Sequence, residues 1–448
     1  MAIKREEIKY DDIASLPNEY IPIIHNITVV DKKSYDAKPE LTPTMCYPLF
    51  SHGFQEYLHA NKNKMSVVNE FKGKKKTYLV IQPFESKIDE YDASLDNVSV
   101  DYFGLDEKPP IISRAFYKLW ELIVLFDVIP TNVEGFRSAH VAEAPGAFAQ
   151  ATMFYRDLFA KKGTNTKKDK YYIMSVDPSE DPDNIPRVSP KLIQYYEKEK
   201  PQRLYIHKTH SPIEAEKSPT KDDGDLLNPK TIKLFSNELD KKMHFITADG
   251  GFVWANENTQ EQEVLPLFVS EILVALKNLE VGGSFICKIF ETYTMPFAKI
   301  IYILSTAFEE SYIVKPLTSH ASNSEKYLVF KKYLGKPKIV EQFVDMHEKL
   351  FNNKKKNILD IFPDLSLPTN YLNILIKNNL VIANKQLIYI SKIIEFIQSR
   401  NYFGDVYQDS RLKQIEASKY WINTYYPNKN EFNKMSKLIE EIKKRAII

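Results

Sequence analysis

From Ser113 onward the apolar positions switch repeatedly between a helical and an extended period. Ser113 reads as an N-cap for a helix running to about Phe126, with Phe116, Leu119, Trp120, Ile123 and Val124 on one face. Extended runs follow at 138–142, 171–176, 203–207 and 245–248, with a helix predicted from Gly146 to about Phe159. Residues 259–279 carry Leu265, Phe268, Ile272, Ala275, Leu276 and Leu279 at helical spacing, and Pro266 fits its first turns. Gly282-Gly283 is expected to end that helix and open the apolar strand 284–290; further strands are predicted at 312–314 and 326–330. Strands alternating with helices over ~220 residues predict an α/β fold, a mostly parallel sheet with helices on both faces.

The flanks differ. Residues 1–110 alternate short apolar runs with polar turns, giving an N-terminal α+β extension with a helix near 54–64 and a strand at 78–81. Pro109-Pro110 closes it. Residues 334–448 show no strand series and predict a helical C-terminal extension. Ile390, Ile393, Ile394 and Ile397 mark one helix, Leu412, Ile415 and Ile422 a second that stops before Pro427, and 440–445 a charged last turn. The expected units are therefore 1–110, 111–333 and 334–448.

At 43% hydrophobic, the 448 residues can bury a sizeable core. With 61 basic and 59 acidic residues the net charge is only +2, so an anionic partner has to be met by a local patch. Candidate patches are the lysine runs at 72–76, 161–170 and 354–356. The two cysteines, Cys46 and Cys287, both lie in apolar surroundings; they fit a reducing, intracellular setting and argue against a disulfide scaffold or cysteine zinc cluster, so no metal is expected. The N-terminus is charged, and the best apolar stretch, 122–129, is too short to span a bilayer, so no membrane association is expected.

Lys288 sits inside the apolar run Ser284-Phe285-Ile286-Cys287-Lys288-Ile289-Phe290. A buried ammonium is costly unless it finds partners or loses its proton, and a lysine tuned that way serves as base or charge stabiliser. Strand ends in such a sheet form the site crevice. Three acidic positions lie there: Asp177, Asp225 in the Asp222–Asp225 loop, and Asp249 in Ala248-Asp249-Gly250-Gly251, one strand away from Lys288. The turn Glu143-Ala144-Pro145-Gly146-Ala147-Phe148 joins strand to helix, where helix N–H groups are expected to be free for a carboxylate or phosphate. Each of these also fits an ordinary turn, cap or surface ion pair.

Taken in order, five segments resemble the RrmJ/FtsJ family of S-adenosylmethionine-dependent RNA 2′-O-methyltransferases. They are Ser113-Arg114-Ala115-Phe116-Tyr117-Lys118-Leu119, Glu143-Ala144-Pro145-Gly146-Ala147-Phe148, Ala248-Asp249-Gly250-Gly251, Gly282-Gly283-Ser284-Phe285-Ile286-Cys287-Lys288 and Ser322-Asn323-Ser324-Glu325-Lys326-Tyr327. The resemblance covers 111–333 and implies a Rossmann-like methyltransferase sheet with a catalytic tetrad Lys118, Asp249, Lys288 and Glu325. It implies S-adenosylmethionine held by Glu143, Ala144, Pro145, Gly146, Ala147, Phe148, Asp177, Asp225 and Asp249. Departures are Ala147 in place of the usual second glycine, Glu143 in place of a small residue, and long loops after the second and third strands. These loops, with the long flanks, resemble cap methyltransferases of viruses and eukaryotes, and the Lys- and Asn-rich composition suggests a large DNA virus, hence host cytoplasm or virion. The implied substrate is capped mRNA, with capping or transcription machinery as partners. A ribosomal or transfer RNA substrate, or a silent RNA-binding or assembly subunit, are the alternatives.

Overall fold

The computed structural model describes residues 16–31, 33–44, 52–85, 95–105, 109–179, 185–251, 256, 258–353, 356–426 and 432–447. The charged N-terminus, Cys46, Lys354, Lys355 and Pro427 lie outside the described residues. Along the chain the elements are β1 (Ile23–Asn26), β2 (Glu40–Thr42), α1 (His52–Asn63) and α2 (Leu95–Phe103), then α3 (Ala115–Phe126), β3 (Arg137–Val141), α4 (Ala147–Phe159), β4 (Lys170–Met174), α5 (Pro190–Glu199), β5 (Leu204–Ile206), α6 (Pro212–Glu216), α7 (Pro229–Glu238), β6 (Met243–Ala248), α8 (Gln260–Asn278), β7 (Leu279–Ile289), α9 (Met295–Ser305), β8 (Phe308–Lys315) and β9 (Lys326–Tyr333). The chain continues through α10 (Pro337–Phe351), β10 (Asn357–Asp360), α11 (Thr369–Gln398), α12 (Asp405–Tyr425) and α13 (Phe432–Ala446).

Every residue of β6 is buried, because helices cover both of its faces. Side chains alternate: Phe245 and Ile286 point to one core, Ile246, Phe285 and Cys287 to the other. The eight strands run in the order β1-β8-β9-β7-β6-β3-β4-β5. β7, β6, β3, β4 and β5 are parallel neighbours, whereas β9, β8 and β1 are joined antiparallel. The mostly parallel expectation thus holds for the centre and one flank, and the β8–β9 return through the 316–325 loop makes the other flank antiparallel. One core contains α8, α9 and α10 residues; the second contains α3, α4 and α12 residues.

Both flanks of the chain enter this arrangement. β1 is the edge strand beside β8, and β2 pairs with β10. Helix α1 packs on the 30-residue α11, and α12 and α13 pack on α3. Among the described residues no helix is long and apolar enough to cross a membrane.

Several local expectations change. Residues Thr77–Ile81 form a 3-10 helix, not a strand; four apolar residues in a row do not distinguish the two. Helix α3 starts at Ala115, with Arg114 at the capping position; Ser113 Oγ instead accepts the Ala115 N–H at 3.3 Å. Gly282 and Gly283 lie within β7, which starts directly after α8. The C-terminal flank does contain a strand, β10. Leu412 is 54% exposed, so α12 buries the face bearing Ala417, Trp421 and Tyr425 instead.

Candidate active site

Because β6 and β7 are parallel with Ala248 opposite Cys287, Asp249 and Lys288 emerge side by side at the carboxyl edge. Lys288 Nζ lies 3.2 Å from Asp249 Oδ1 and donates to the Asp249 carbonyl at 2.8 Å. β9 runs antiparallel with Tyr327 opposite Lys288, so Glu325, just before β9, reaches the same edge. Lys118, on α3, closes the group: its Nζ is 2.7 Å from Glu325 Oε1. The four side chains are 12–19% exposed. Thus the structure brings together Lys118, Asp249, Lys288 and Glu325, although they are far apart in sequence.

Their charges are mutually dependent. Burial lowers the Lys288 pKa, but the Asp249 and Glu325 carboxylates outweigh it and hold the ammonium above the ordinary lysine value. Burial opposes ionisation of Glu325 as well, yet Lys118 and Lys288 hold it far below the usual carboxylate range. Asp249 moves the other way: burial, helped by Glu325, raises it against the pull of Lys288 and Lys118. At rest, then, Lys288 is an ammonium rather than a neutral amine.

Three buried ionisable side chains that the hydrophobic pattern did not reveal set this geometry. Glu121, one turn beyond Lys118, accepts the N–H groups of Leu317 (2.7 Å) and Thr318 (3.3 Å) and the indole N–H of Trp421 (3.0 Å). Burial nevertheless raises its pKa to about 7. Lys315 Nζ donates to the carbonyls of Asn323 (2.9 Å) and Glu325 (2.7 Å). A buried carboxyl group therefore takes the N–H groups at one end of the 316–325 loop, and the Lys315 amino group, whose pKa burial pushes well below the ordinary lysine value, takes the carbonyls at the other, so Glu325 has a defined position. Glu271, on α8, accepts the Gly250 N–H at 3.0 Å and the Cys287 thiol at 3.4 Å. A Cβ on Gly250 would stand 2.2 Å from that carboxylate, which would have to move aside. The available signals were Glu121 three residues after Lys118 and a Ser270-Glu271 pair within an apolar helix.

The strand-to-helix turn is built differently from the expectation. Gly146 has φ +108°, and a Cβ there would meet Leu192 at 2.8 Å. The N–H groups at the start of α4 are already engaged: Glu143 Oε1 accepts those of Phe148 (2.6 Å) and Ala149 (3.2 Å). Ala147 and Phe148 point into the core. Glu143 Oε2 is buried without a hydrogen-bond partner. Burial and Asp249 hold the Glu143 carboxyl well above its usual range, against the Phe148 and Ala149 N–H groups and Lys288. Such an oxygen suits an incoming ammonium or hydroxyl, and S-adenosylmethionine carries both. Asp177 Oδ1 accepts from Ser179 N (2.9 Å) and Asp225 Oδ1 from Leu227 N (2.9 Å), so both shape turns. Their loops meet where the Asp177 N–H bonds the Asp223 carbonyl at 2.6 Å.

The basic runs separate. Helix α4 carries the chain away from the carboxyl edge, so the lysines at 161–168 lie at the opposite edge; Lys168 pairs with Glu134 (2.7 Å) and Lys170 with Asp240 (2.6 Å). The 72–76 run instead precedes the segment whose Gln82 and Glu85 touch the 316–325 loop: Gln82 Oε1 accepts Ala321 N (3.1 Å), and Glu85 pairs with His320 (2.9 Å).

Comparison with known proteins agrees with this geometry. Residues 111–333 match the model of the FtsJ-like methyltransferase family. The chain is 30% identical over 224 residues to cap-specific mRNA (nucleoside-2′-O-)-methyltransferase 1A of Caenorhabditis briggsae, covering 47% of this chain and 25% of that one. It is 32% identical over 187 residues to cap-specific mRNA (nucleoside-2′-O-)-methyltransferase 1 of Mus musculus, covering 39% and 22%. It is also 29% identical over 224 residues to a C. briggsae relative named inactive, 1B, covering 47% and 26%. The chain thus spans about a quarter of the length of these curated relatives. Residues 111–333 are thus an FtsJ-like methyltransferase domain.

Proposed function

We propose that the protein transfers a methyl group from S-adenosylmethionine to the ribose 2′-oxygen of cap-proximal nucleotides in mRNA. The observation that carries this reading is the interlocked pair of ion pairs, Lys288–Asp249 and Lys118–Glu325, at the carboxyl edge of the sheet. The cap-specific names of the relatives support the choice of mRNA over ribosomal or transfer RNA. The cofactor, when bound, supplies a methyl group activated by a sulfonium. Glu143 Oε2 and Asp249 are the carboxyl oxygens we assign to its ammonium and hydroxyl groups, with the 177 and 223–225 loops bordering the remainder.

Lys288 is assigned to the 2′-hydroxyl. That hydroxyl is a poor nucleophile at neutral pH, and a neutral amine takes its proton as the new bond to carbon forms. At rest the two carboxylates keep Lys288 protonated. A cationic cofactor at the same edge adds positive charge, which favours the neutral amine. Lys118 fixes Glu325, and Glu121 with Lys315 fixes the loop that bears it; in-line positioning supplies much of the rate.

The inactive relative keeps a second reading in view, a silent RNA-binding subunit. Purified protein with labelled S-adenosylmethionine and matched capped and uncapped RNAs separates the readings. The expected result is label on the 2′-oxygen of a cap-proximal nucleotide, with capped RNA preferred. Cofactor binding with no label in any RNA contradicts the enzyme reading, and equal labelling of uncapped RNA contradicts cap specificity.

A further inference from the structure

The two flanks meet beside the tetrad. Gln414 of α12 donates to the carbonyls of Leu79 (3.0 Å) and Gln82 (2.8 Å), clamping the segment that follows the 72–76 lysine run. Between them is a cleft of about 180 Å³. Exposed Lys75 and Lys76 line one side, and Arg411 and Tyr407 the other. Arg411 is only 5% exposed, lies 5.8 Å from the Tyr407 ring centre and bonds Gln414 at 3.5 Å, so its guanidinium is held in place. Glu85, at the inner end, is 3.5 Å from Arg114 and 2.9 Å from His320. Arg114 stands one turn before Lys118, about 6 Å along α3. Glu85 thereby links the cleft to Arg114, one helical turn from the tetrad's Lys118.

We propose that this cleft binds phosphate groups of the RNA substrate, an assignment that rests on the RNA methyltransferase reading above. Three cations converge on a space below the ~300–1,000 Å³ of drug-sized sites, which suits phosphate groups rather than a whole dinucleotide. A pre-oriented guanidinium matches phosphate oxygens in a bidentate manner, and flexible lysines add point charge. The inner carboxylate faces Arg114 and His320, so it is compensated where the RNA passes toward Lys118. The phosphates have two sources, the 5′–5′ bridge of a cap or the phosphodiesters of the RNA body.

Fluorescence anisotropy on the full chain tests this, using a capped dinucleotide, a capped 10-mer and a 5′-hydroxyl 10-mer. Lys75→Ala with Lys76→Ala, both surface positions, is expected to raise the RNA Kd at least fivefold. The slope of log K against log salt should fall by about 1.4, as for two lost single-strand phosphate contacts. Arg411→Gln is expected to weaken binding similarly, with unchanged S-adenosylmethionine affinity reporting an intact fold. Lys161→Ala with Lys162→Ala, at the opposite edge, is expected to stay within twofold. Loss on the dinucleotide assigns the cap bridge; loss confined to the 10-mers assigns the RNA body. An unchanged Kd for every probe in the Lys75/Lys76 variant, or no RNA binding by the wild type, overturns the proposal. Methyl transfer measured in parallel keeps the two readings distinct: weakened binding in the variant with no methyl transfer by the wild type supports the cleft and contradicts the enzyme.

Discussion

Two buried ion clusters occupy opposite edges of one sheet, and they are built on opposite plans. At the amino edge, Arg156 grips Asp169 through two nitrogens (3.0 and 3.2 Å), with both residues fully buried. The remaining Asp169 valences are filled by the Phe136 N–H (2.9 Å) and the Tyr171 hydroxyl (3.2 Å), and the Arg156 fork also reaches the Pro130 and Val133 carbonyls. Arg203 extends the cluster through Tyr171 at 3.1 Å. At the carboxyl edge the cations are lysines, each meets its carboxylate at one nitrogen, and the cluster remains 12–19% exposed. Asp249 Oδ1 makes no hydrogen bond of good geometry, although Lys288 is within ion-pair range. Arginine cannot give up its proton in a protein, whereas lysine can. The fully bonded Arg156–Asp169 pair therefore suits fastening the sheet, and the unsaturated lysine cluster suits proton transfer.

That contrast is sharpest where each cluster is broken. Asp169→Ala leaves the Arg156 guanidinium without its buried counter-ion, while Arg203 keeps Asp157 at 2.9 Å, and the expected loss of stability is about 3–5 kcal/mol, read from urea unfolding. A loss below 1 kcal/mol would show that the amino-edge cluster is not structural.

A smaller effect lies in a third, mixed cluster. His207 is held between Asp222 (3.0 Å) and Glu238 (2.8 Å). Burial lowers its pKa, but the two carboxylates outweigh that and raise it to about 9. Because the folded value exceeds the unfolded one, this stabilisation is complete below about pH 6.5 and is lost as pH rises through 9. The thermal midpoint should fall by about 3–6 °C across that window, and His207→Gln should remove this dependence. An equal slope in the variant would assign the effect to other groups.

The sequence and the structure agree best where physics leaves one choice. Fully buried strands such as β6 and the core of β7 read correctly, and their adjacency brings Asp249 beside Lys288. The four tetrad positions were legible through ordered motifs, since no single one differs from a surface ion pair in sequence. The glycines at 282 and 283 were misread as a terminator because β7 runs through them without a break. Thr77–Ile81 was misread because its apolar run satisfies either period. Glu121, Glu271 and Lys315 escaped notice because their burial depends on partners distant in sequence, which hydrophobic spacing does not encode. Glu143 was named as a cofactor residue, but its hold on the α4 start was not legible: the turn motif names the backbone, not which side chain folds back on it.

We propose that Lys288 acts by exchanging a proton, not merely by carrying charge. Single-turnover methyl transfer to capped RNA by Lys288→Arg tests it most directly, because arginine keeps the positive charge but does not deprotonate. The expected result is a rate reduced by about 10²–10⁴-fold, matching Lys288→Ala, with S-adenosylmethionine affinity within about threefold of wild type. A Lys288→Arg rate within tenfold of wild type would contradict the claim and leave Lys288 an electrostatic anchor.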